Sequence, residues 1–234
     1  MNQYFKIFIL MIPFFGIAQE VTNTSVDTSF VDTKYREDQF YFAVTYNLLA
    51  NKPNGMSQSG FSSGFQLGFI RDMPINDKRT WAIGLGLGIA TNSYNHNVLI
   101  TKVDNDYSYS IINESEITFN KNKFSTYLIE VPLEVRWRKS TPTEYKFWRI
   151  YTGLKLGYII ANRYKFKGSI GNITYSNIND FEKIQYGITL GAGYATWNFH
   201  LYYGLNPIFN NNANIEEQNL NISNVKIGLI FYIL

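Results

Sequence analysis

The sequence predicts an all-β fold, an eight-stranded antiparallel up-and-down transmembrane β-barrel. Three observations lead to this prediction: eight segments in which large apolar residues alternate with small or polar ones, connections that are alternately long and short, and tryptophans that gather at one end of the predicted strands. A period of two indicates strands, because successive side chains of a strand point to opposite faces. The dominance of this period argues against helices.

The predicted strands share one pattern and an unusual length. They run for about 9–14 residues, which exceeds the ~5–6 residues of a typical globular strand and matches the ~9–11 residues that cross a bilayer at a tilt. In chain order, the eight segments are about 39–49, 60–71, 81–90, 125–138, 147–160, 184–195, 198–206 and 222–233.

The strands differ in what occupies their second face. In the first (FYFAVTYNLL) and second (GFSSGFQLGFIR), small and polar residues alternate with Phe, Tyr, Val and Leu. The third, WAIGLGLGIA, places its bulky residues on one face and only Gly or Ala on the other. The fourth (STYLIEVPLEVRWR) and fifth (FWRIYTGLKLGYII) carry Glu, Arg and Lys on the second face. The last three, IQYGITLGAGYA, NFHLYYGLN and ISNVKIGLIFYI, return to Gly and polar residues. In a membrane barrel the apolar faces contact lipid and the second faces line the interior.

The connections are of two kinds. Those after the first, third, fifth and seventh strands have about 10, 30, 23 and 15 residues, and the others have about 9, 8 and 2, which is the pattern of an outer-membrane barrel with periplasmic termini. The long loops 50–59, 93–123, 161–183 and 207–221 are then extracellular. Loops carry function on rigid scaffolds, so 93–123 and 161–183 are the predicted surface for other envelope or secretion proteins.

The tryptophans provide an independent test of this topology. Trp81, Trp137, Trp148 and Trp197 all fall at the periplasmic ends of the predicted strands and in the outward phase. Amphipathic rings favour the headgroup level of a bilayer, which predicts a periplasmic aromatic belt. The outward aromatic residues toward the other end are Tyr46, Phe61, Tyr127, Tyr158 and Tyr186.

The predicted lumen is narrow and charged. Eight strands enclose only enough room for side chains, which argues against a wide aqueous pore. The inward charges concentrate on the hairpin of strands four and five, at Glu130, Glu134, Arg136, Arg149 and Lys155. Buried carboxylates and cations pair because either alone is costly in a low dielectric. Depending on register, Glu130 lies near Lys155 or Glu134 near Arg149. We predict a structural charge network; a catalytic or transport role is the alternative.

The segment before the barrel indicates export. Residues 1–18 place Lys6 before an apolar run that ends in small residues, which is typical of a cleaved secretory signal peptide. Residues 19–38 are polar and rich in Thr and Asp, which predicts a periplasmic lead-in with weak structural preference. The barrel then occupies 39–234.

Composition excludes several classes of function. The net charge of +3 falls to about +2 without the signal, which offers no electrostatic case for nucleic acid. The absence of cysteine excludes a disulfide scaffold and a thiol nucleophile. Two scattered histidines, His96 and His200, do not make a metal site, and GLGLG continues as strand rather than opening a helix, so it is not a phosphate loop. We therefore predict no cofactor and no metal.

Four motifs carry a resemblance to a known family. The segments YLIEVPLEVRWR (127–138), KFWRIYTGLKLGY (146–158), YGITLGAGY (186–194) and the terminal KIGLIFYIL resemble the porin-like, PorT-type outer-membrane β-barrel proteins of Bacteroidota, in which an E-V-P-containing strand precedes a Gly-rich hairpin. The resemblance covers about 39–234 and carries over no catalytic residues. It implies an accessory role in type IX protein secretion. The terminal Leu234 departs from the aromatic residue on which outer-membrane barrels commonly end.

Three functional hypotheses follow. The leading one is a non-enzymatic outer-membrane barrel with a structural or interaction role in the envelope, embedded in outer-membrane lipid. The second is a lipid-modifying acyl hydrolase with His200 as its base, which would also need a nucleophilic serine and an orienting acid. The third is a soluble lipocalin-like carrier, which would require apolar residues inside and polar residues outside.

Overall fold

The described part of the chain consists of strands and their connections. In the computed structural model these described residues are 37–104, 106–139, 147–215 and 218–233. The strands are β1 (Glu37–Ala50), β2 (Ser63–Pro74), β3 (Trp81–Asn95), β4 (Val98–Val103), β5 (Asp106–Ile111), β6 (Phe119–Arg138), β7 (Trp148–Gly168), β8 (Gly171–Ser176), β9 (Ile184–Tyr194), β10 (Trp197–Gly204), β11 (Asn214–Ile215), β12 (Gln218–Asn219) and β13 (Ser223–Ile233). Within these ranges no helix is long and apolar enough to cross a membrane. The predicted signal peptide, the lead-in up to residue 36 and Leu234 lie outside the described residues.

Eight of the strands close into an antiparallel barrel. Each of β1, β2, β3, β6, β7, β9, β10 and β13 pairs with the next in that order, and β13 returns to pair with β1, with Phe42 opposite Phe231. Each of these strands overlaps one of the eight predicted segments, so the predicted fold class is confirmed. Closure leaves the barrel without an exposed edge. β1 begins at Glu37, two residues before the predicted start of the barrel.

The side chains sort by phase, with bulk outside and small or polar groups inside. On β3, Leu87 and Ile89 are 60% and 59% exposed, whereas Ala90 is buried. The same contrast repeats around the barrel, so a continuous apolar band covers its outer wall. A soluble protein rarely exposes an apolar surface of this size. The polarity is the reverse of what a lipocalin-like carrier requires.

Two of the predicted long loops are largely β-structure, which corrects their assignment as loops. β6 and β7 have 20 and 21 residues and extend well beyond the predicted segments, while β4 pairs with β5 and β8 pairs with upper β7. The alternation continues into FNKNKFS and NRYKFKG, with Asn122 and Phe166 inside. Their lysines interrupt the apolar outer face that marks the membrane strands, which is why the sequence pattern stopped short.

The segments at the long-loop end pack together into what we call the cap, formed by residues 96–104, 106–112, 178–181, 208–215 and 218–222. Their apolar side chains share one core with the upper barrel wall. Phe124, Phe181 and Phe209 pack with ring centroids 4.5–5.5 Å apart. The cap therefore closes this end of the lumen with an apolar layer.

Candidate functional site

The lumen near the short turns contains a buried ion cluster centred on Asp72. One carboxylate oxygen of Asp72 lies 3.0 Å from Nη1 of Arg136, and the other lies 3.3 Å from Nη1 of Arg138. Arg136 also approaches Glu134, with Nη2 and Oε2 2.8 Å apart. The four side chains are at most 4% exposed. In these four groups two carboxylates balance two guanidinium groups, as buried charges require.

The remaining donors of Arg136 are also satisfied. Nη1 donates to the side-chain oxygen of Gln39 at 3.1 Å, and Nη2 donates to the hydroxyl of Tyr232 at 2.7 Å. The guanidinium lies 4.6 Å from the ring centroid of Tyr232. A Cβ atom at Gly84 would lie only 3.0 Å from Nε of Arg136. The glycine face of WAIGLGLGIA therefore provides the space that this arginine occupies.

A second ion cluster lies farther up the lumen, around Glu130. Its carboxylate oxygens lie 3.6 Å from Nζ of Lys155 and 3.3 Å from Nζ of Lys226. Lys155 donates to the side-chain oxygen of Gln66 at 2.7 Å, and Lys226 lies 4.8 Å from the ring centroid of Tyr202. All five residues are buried. The ion pairs therefore join β6 to its neighbour β7 and, across the lumen, to β13.

The structure brings together most of the lumenal residues that the sequence pointed to. Glu130 contacts Lys155, which is one of the two cross-strand pairs that the sequence allowed. Glu134 contacts Arg136 on its own strand, because the register places it opposite a glycine of β7. Arg149 lies over two buried aromatic rings.

Three charged members of these clusters were not predicted from the sequence. Asp72 lies one residue beyond the predicted second segment, 60–71, while Arg138 and Lys226 lie within the predicted fourth and eighth segments but outside the predicted charge network. The inward phase of Ile70 continues to Asp72, so the alternation itself could have indicated it. Which cation it meets depends on the register of β2, β3 and β6, and the sequence pattern does not set that register.

His200 lacks the surroundings that an acyl hydrolase needs. It is 1% exposed and lies in the lumen opposite Gly191 and Gly228. Its ring stacks on Tyr151 with centroids 6.4 Å apart, and neither ring nitrogen has a hydrogen-bond partner among the described residues. A catalytic base must reach both a nucleophile and a substrate. The geometry gives no support to that chemistry.

The outer wall carries aromatic residues at both ends of the apolar band. At the short-turn end, Trp81 lies opposite Trp137 across β3 and β6, and Trp148 and Trp197 are 59% and 64% exposed. We call these four the tryptophan belt. The exposed aromatic residues toward the long-loop end are Tyr46, Phe61, Tyr127, Tyr158 and Tyr186. Two rings of amphipathic side chains bracket an apolar band in transmembrane barrels.

A profile of the family described as outer membrane protein beta-barrel domain matches residues 17–210. The chain belongs to this family. No curated protein matches the chain. The match includes every barrel strand except β13, whose pairing with β1 closes this outer-membrane barrel. Its apolar outer wall is accordingly the surface that faces outer-membrane lipid.

The cap of this outer-membrane barrel contains its own buried polar contacts. The hydroxyl of Tyr109 donates to Asp180 at 2.8 Å, and burial together with that carboxylate raises the pKa of Tyr109. His96 accepts a hydrogen bond from the backbone N–H of Val98 at 3.0 Å and packs against Phe124. Burial lowers the pKa of His96 to about 3, so the imidazole is neutral at physiological pH. These groups hold the cap segments in one arrangement.

The filled lumen and the cap restrict where the protein can bind another molecule or carry out chemistry. The lumenal charges are paired and buried, and the cap closes the lumen at the long-loop end. Among the described residues, no group of three or more His, Asp or Glu side chains is placed to hold a metal ion. Apart from the short turns, the accessible surfaces of the described residues are the outside of the cap and the outer wall of the barrel.

Proposed function

We propose that this outer-membrane barrel is a non-enzymatic envelope protein that displays its cap at the cell surface for binding to other proteins. The observation that carries the proposal is the filled lumen. Buried ion pairs occupy two levels of it and the apolar cap covers the top, so the barrel serves as a rigid anchor rather than a channel. Recognition then occurs on the cap, since loops on a rigid scaffold carry function.

The first test is the orientation of the cap. The chain has no cysteine, so single cysteines can be introduced without a background signal. Val103 and Ile170 lie at hairpin tips of the long-loop end and are 60% and 49% exposed, while Ile75 lies at the short-turn end and is 59% exposed. On intact cells, a membrane-impermeant maleimide should label Val103→Cys and Ile170→Cys but not Ile75→Cys. Labelling of Ile75→Cys alone would overturn the proposal.

The second test identifies the partner. A photo-crosslinker attached at Val103→Cys or Ile170→Cys, followed by detergent solubilisation and purification, should capture a protein that the matched Ile75→Cys attachment does not. The resemblance to PorT-type barrels makes components of the type IX secretion machinery the specific partners to look for. Equal capture from both ends of the barrel would argue against a cap-specific partner.

The competing hypothesis, an acyl hydrolase with His200 as its base, is tested separately. Cells that carry His200→Ala should have the same phospholipid and lipid A composition as the wild type. A loss of one acylated or deacylated species in that variant, with the barrel still folded, would favour the enzyme over the interaction protein.

A further inference from the structure

The outward face of upper β6 and β7 carries a concentrated positive charge. We call it the basic wall, and it consists of Lys121, Lys123, Arg163, Lys165 and Lys167. The register places Lys121 opposite Lys167 and Lys123 opposite Lys165. Neither 119–127 nor 161–168 contains an acidic residue. Like charges directly opposite one another destabilise a strand pair, so this arrangement needs a reason beyond folding.

The charge of the basic wall is not neutralised within the described part of the chain. None of its five side chains forms an ion pair there. The pKa of Lys165 is lowered, mainly by Lys167 and by slight desolvation, with smaller contributions from the rest of the basic wall. A cleft of about 220 Å³ between the side chains is lined only by basic and neutral residues. A bound anion would relieve this repulsion.

The basic wall begins just beyond the apolar band that faces the hydrocarbon core of the membrane. Tyr127 belongs to the outward aromatic residues at the long-loop end, and Ile129 below it is exposed on the apolar band. Each pair of residues advances about 7 Å along a strand, so Lys123 lies about 13 Å beyond Tyr127 along β6. A strand tilt of about 40° reduces that height to about 10 Å. Arg163 pairs with Ser125, only two residues above Tyr127, so its Cα lies about 5 Å above the aromatic residues and within the headgroup layer, while Lys123 and Lys165 border that layer.

An apolar groove lies directly below the cleft. It has a volume of about 340 Å³, crosses the outer wall from β1 to β7, and is lined by side chains such as Phe65, Ile89 and Ile160. Tyr127 lines both the groove and the cleft. The two sites are therefore adjacent, one basic at headgroup level and one apolar at the level of acyl chains.

We propose that the basic wall and this groove form a binding site for a phosphorylated lipid in the leaflet at the long-loop end. The lipid phosphate lies in the cleft among Lys123, Arg163 and Lys165, and an acyl chain lies in the groove below Tyr127. Lysine and arginine bind phosphate through charge-assisted hydrogen bonds. A lipid fits better than a protein ligand because the groove faces the hydrocarbon of the bilayer. The site depends on the barrel crossing the membrane and not on what the cap binds.

The experiment compares two triple variants of the full-length protein purified in detergent. The wall variant combines Lys123→Gln, Arg163→Gln and Lys165→Gln. The matched control combines Lys52→Gln, Lys102→Gln and Lys183→Gln, which removes the same charge from exposed positions at the same end. Native mass spectrometry with added diphosphoryl lipid A, and with the same lipid after removal of its phosphates, measures binding by each protein.

We expect the wall variant to lose affinity for diphosphoryl lipid A by roughly a hundredfold, because each cation near an anionic lipid surface contributes a factor of about five. The matched control should bind like the wild type, and all three proteins should bind the dephosphorylated lipid equally and weakly. Wild-type binding should also weaken as salt is raised.

Several results would overturn the proposal. Equal losses in the two triple variants would show that net charge alone matters, and an unchanged wall variant would show that these cations do not bind the lipid. Capture of a protein that depends on the wall residues, with lipid binding intact, would assign the surface to a different partner. Heat-dependent gel mobility confirms that each variant is folded. The crosslinking test of the cap uses Val103 and Ile170 and not the residues of the basic wall. Failure of the lipid-binding proposal can therefore be distinguished from failure of the proposed function of the cap.

Discussion

Replacement of Asp72 by asparagine tests whether the buried ion cluster holds the barrel together. Asp72→Asn keeps the size of the side chain and removes its charge. In the folded protein the carboxylate contacts Arg136 and Arg138 at 3.0 and 3.3 Å, and the side chains of all three are 0% exposed. The variant therefore leaves two guanidinium groups in the lumen with one fewer counter-charge.

The expected loss of unfolding free energy is large. Removal of one partner from a buried ion pair costs about 3–5 kcal/mol, because the remaining charge is neither solvated nor compensated. A typical domain is stable by only about 5–15 kcal/mol, so the variant should lose a substantial part of its stability. The hydrogen bonds of Arg136 to Gln39 and Tyr232 remain, so we expect the variant still to fold, with a lower free energy of unfolding.

A matched control lies on the paired neighbour strand. Asp38 forms an ion pair with Arg71 at 2.5 Å, but these side chains are 45% and 46% exposed. Because neither charge is buried in the protein interior, Asp38→Asn should change the stability little. Both variants are unfolded by urea after refolding into lipid vesicles, and fluorescence from the tryptophan belt reports the transition. The double variant Asp72→Asn with Arg138→Gln restores the charge balance and should recover part of the loss.

The reasoning would be refuted if Asp72→Asn and Asp38→Asn lowered the stability by the same amount. It would also be refuted if the double variant were less stable than the sum of its single changes predicts. Either outcome would mean that water or lipid headgroups solvate the lower cluster and that its charges do not depend on one another.

Three further predictions concern a glycine of the lumen, a histidine of the cap and the tryptophan belt. A Cβ at Gly191 would overlap the ring of Tyr151, so Gly191→Ala should lower the stability by about 1–3 kcal/mol. A Cβ at Gly157 would have a flexible Leu128 methyl at 3.1 Å as its only tight contact, so Gly157→Ala should be milder in the same urea titration. Because the pKa of His96 is low in the folded protein, the unfolded chain takes up a proton between pH 6.5 and about 3 while the folded chain does not. The contribution of His96 to stability is therefore complete above pH 6.5 and is lost as the pH falls. We expect about 2 kcal/mol less stability at pH 5 than at pH 7.5 from this residue, and His96→Gln should remove that difference. Lipids brominated near the headgroup should quench the tryptophan belt more strongly than lipids brominated at the chain ends, and the reverse order would contradict its position.

Much of the lumenal site follows from side-chain phase. The alternation on β6 is enough to place Glu130 and Glu134 inside, and the alternation on β7 does the same for Lys155. Phase fails to identify partners, however, because a strand's neighbours depend on register and on closure of the barrel. Lys226 meets Glu130 only because β13 returns to β1 and brings the end of the chain across the lumen.

The packed core of the cap could not be predicted from the sequence for a different reason. Its core joins side chains from three separate connections, including Ile100, Phe181 and Phe209, each of which lies in a polar stretch rich in Asn and Ser. No local period marks such residues as buried, since each segment contributes only a few apolar side chains. Sequence alone therefore predicts hydrated loops for the same stretches.

By itself, the sequence determined the number of membrane-crossing barrel strands, their order and which face of each meets lipid. It could do so because the bilayer imposes one length and one alternation on every membrane strand, and both are written in consecutive residues. Only the tertiary structure decided the pairing of the buried charges, the extension of β6 and β7 beyond the membrane, and the closed cap. Those features depend on contacts between residues distant in the chain, including Asp72 with Arg136 and Phe124 with Phe209, and no local pattern specifies which distant residues will meet.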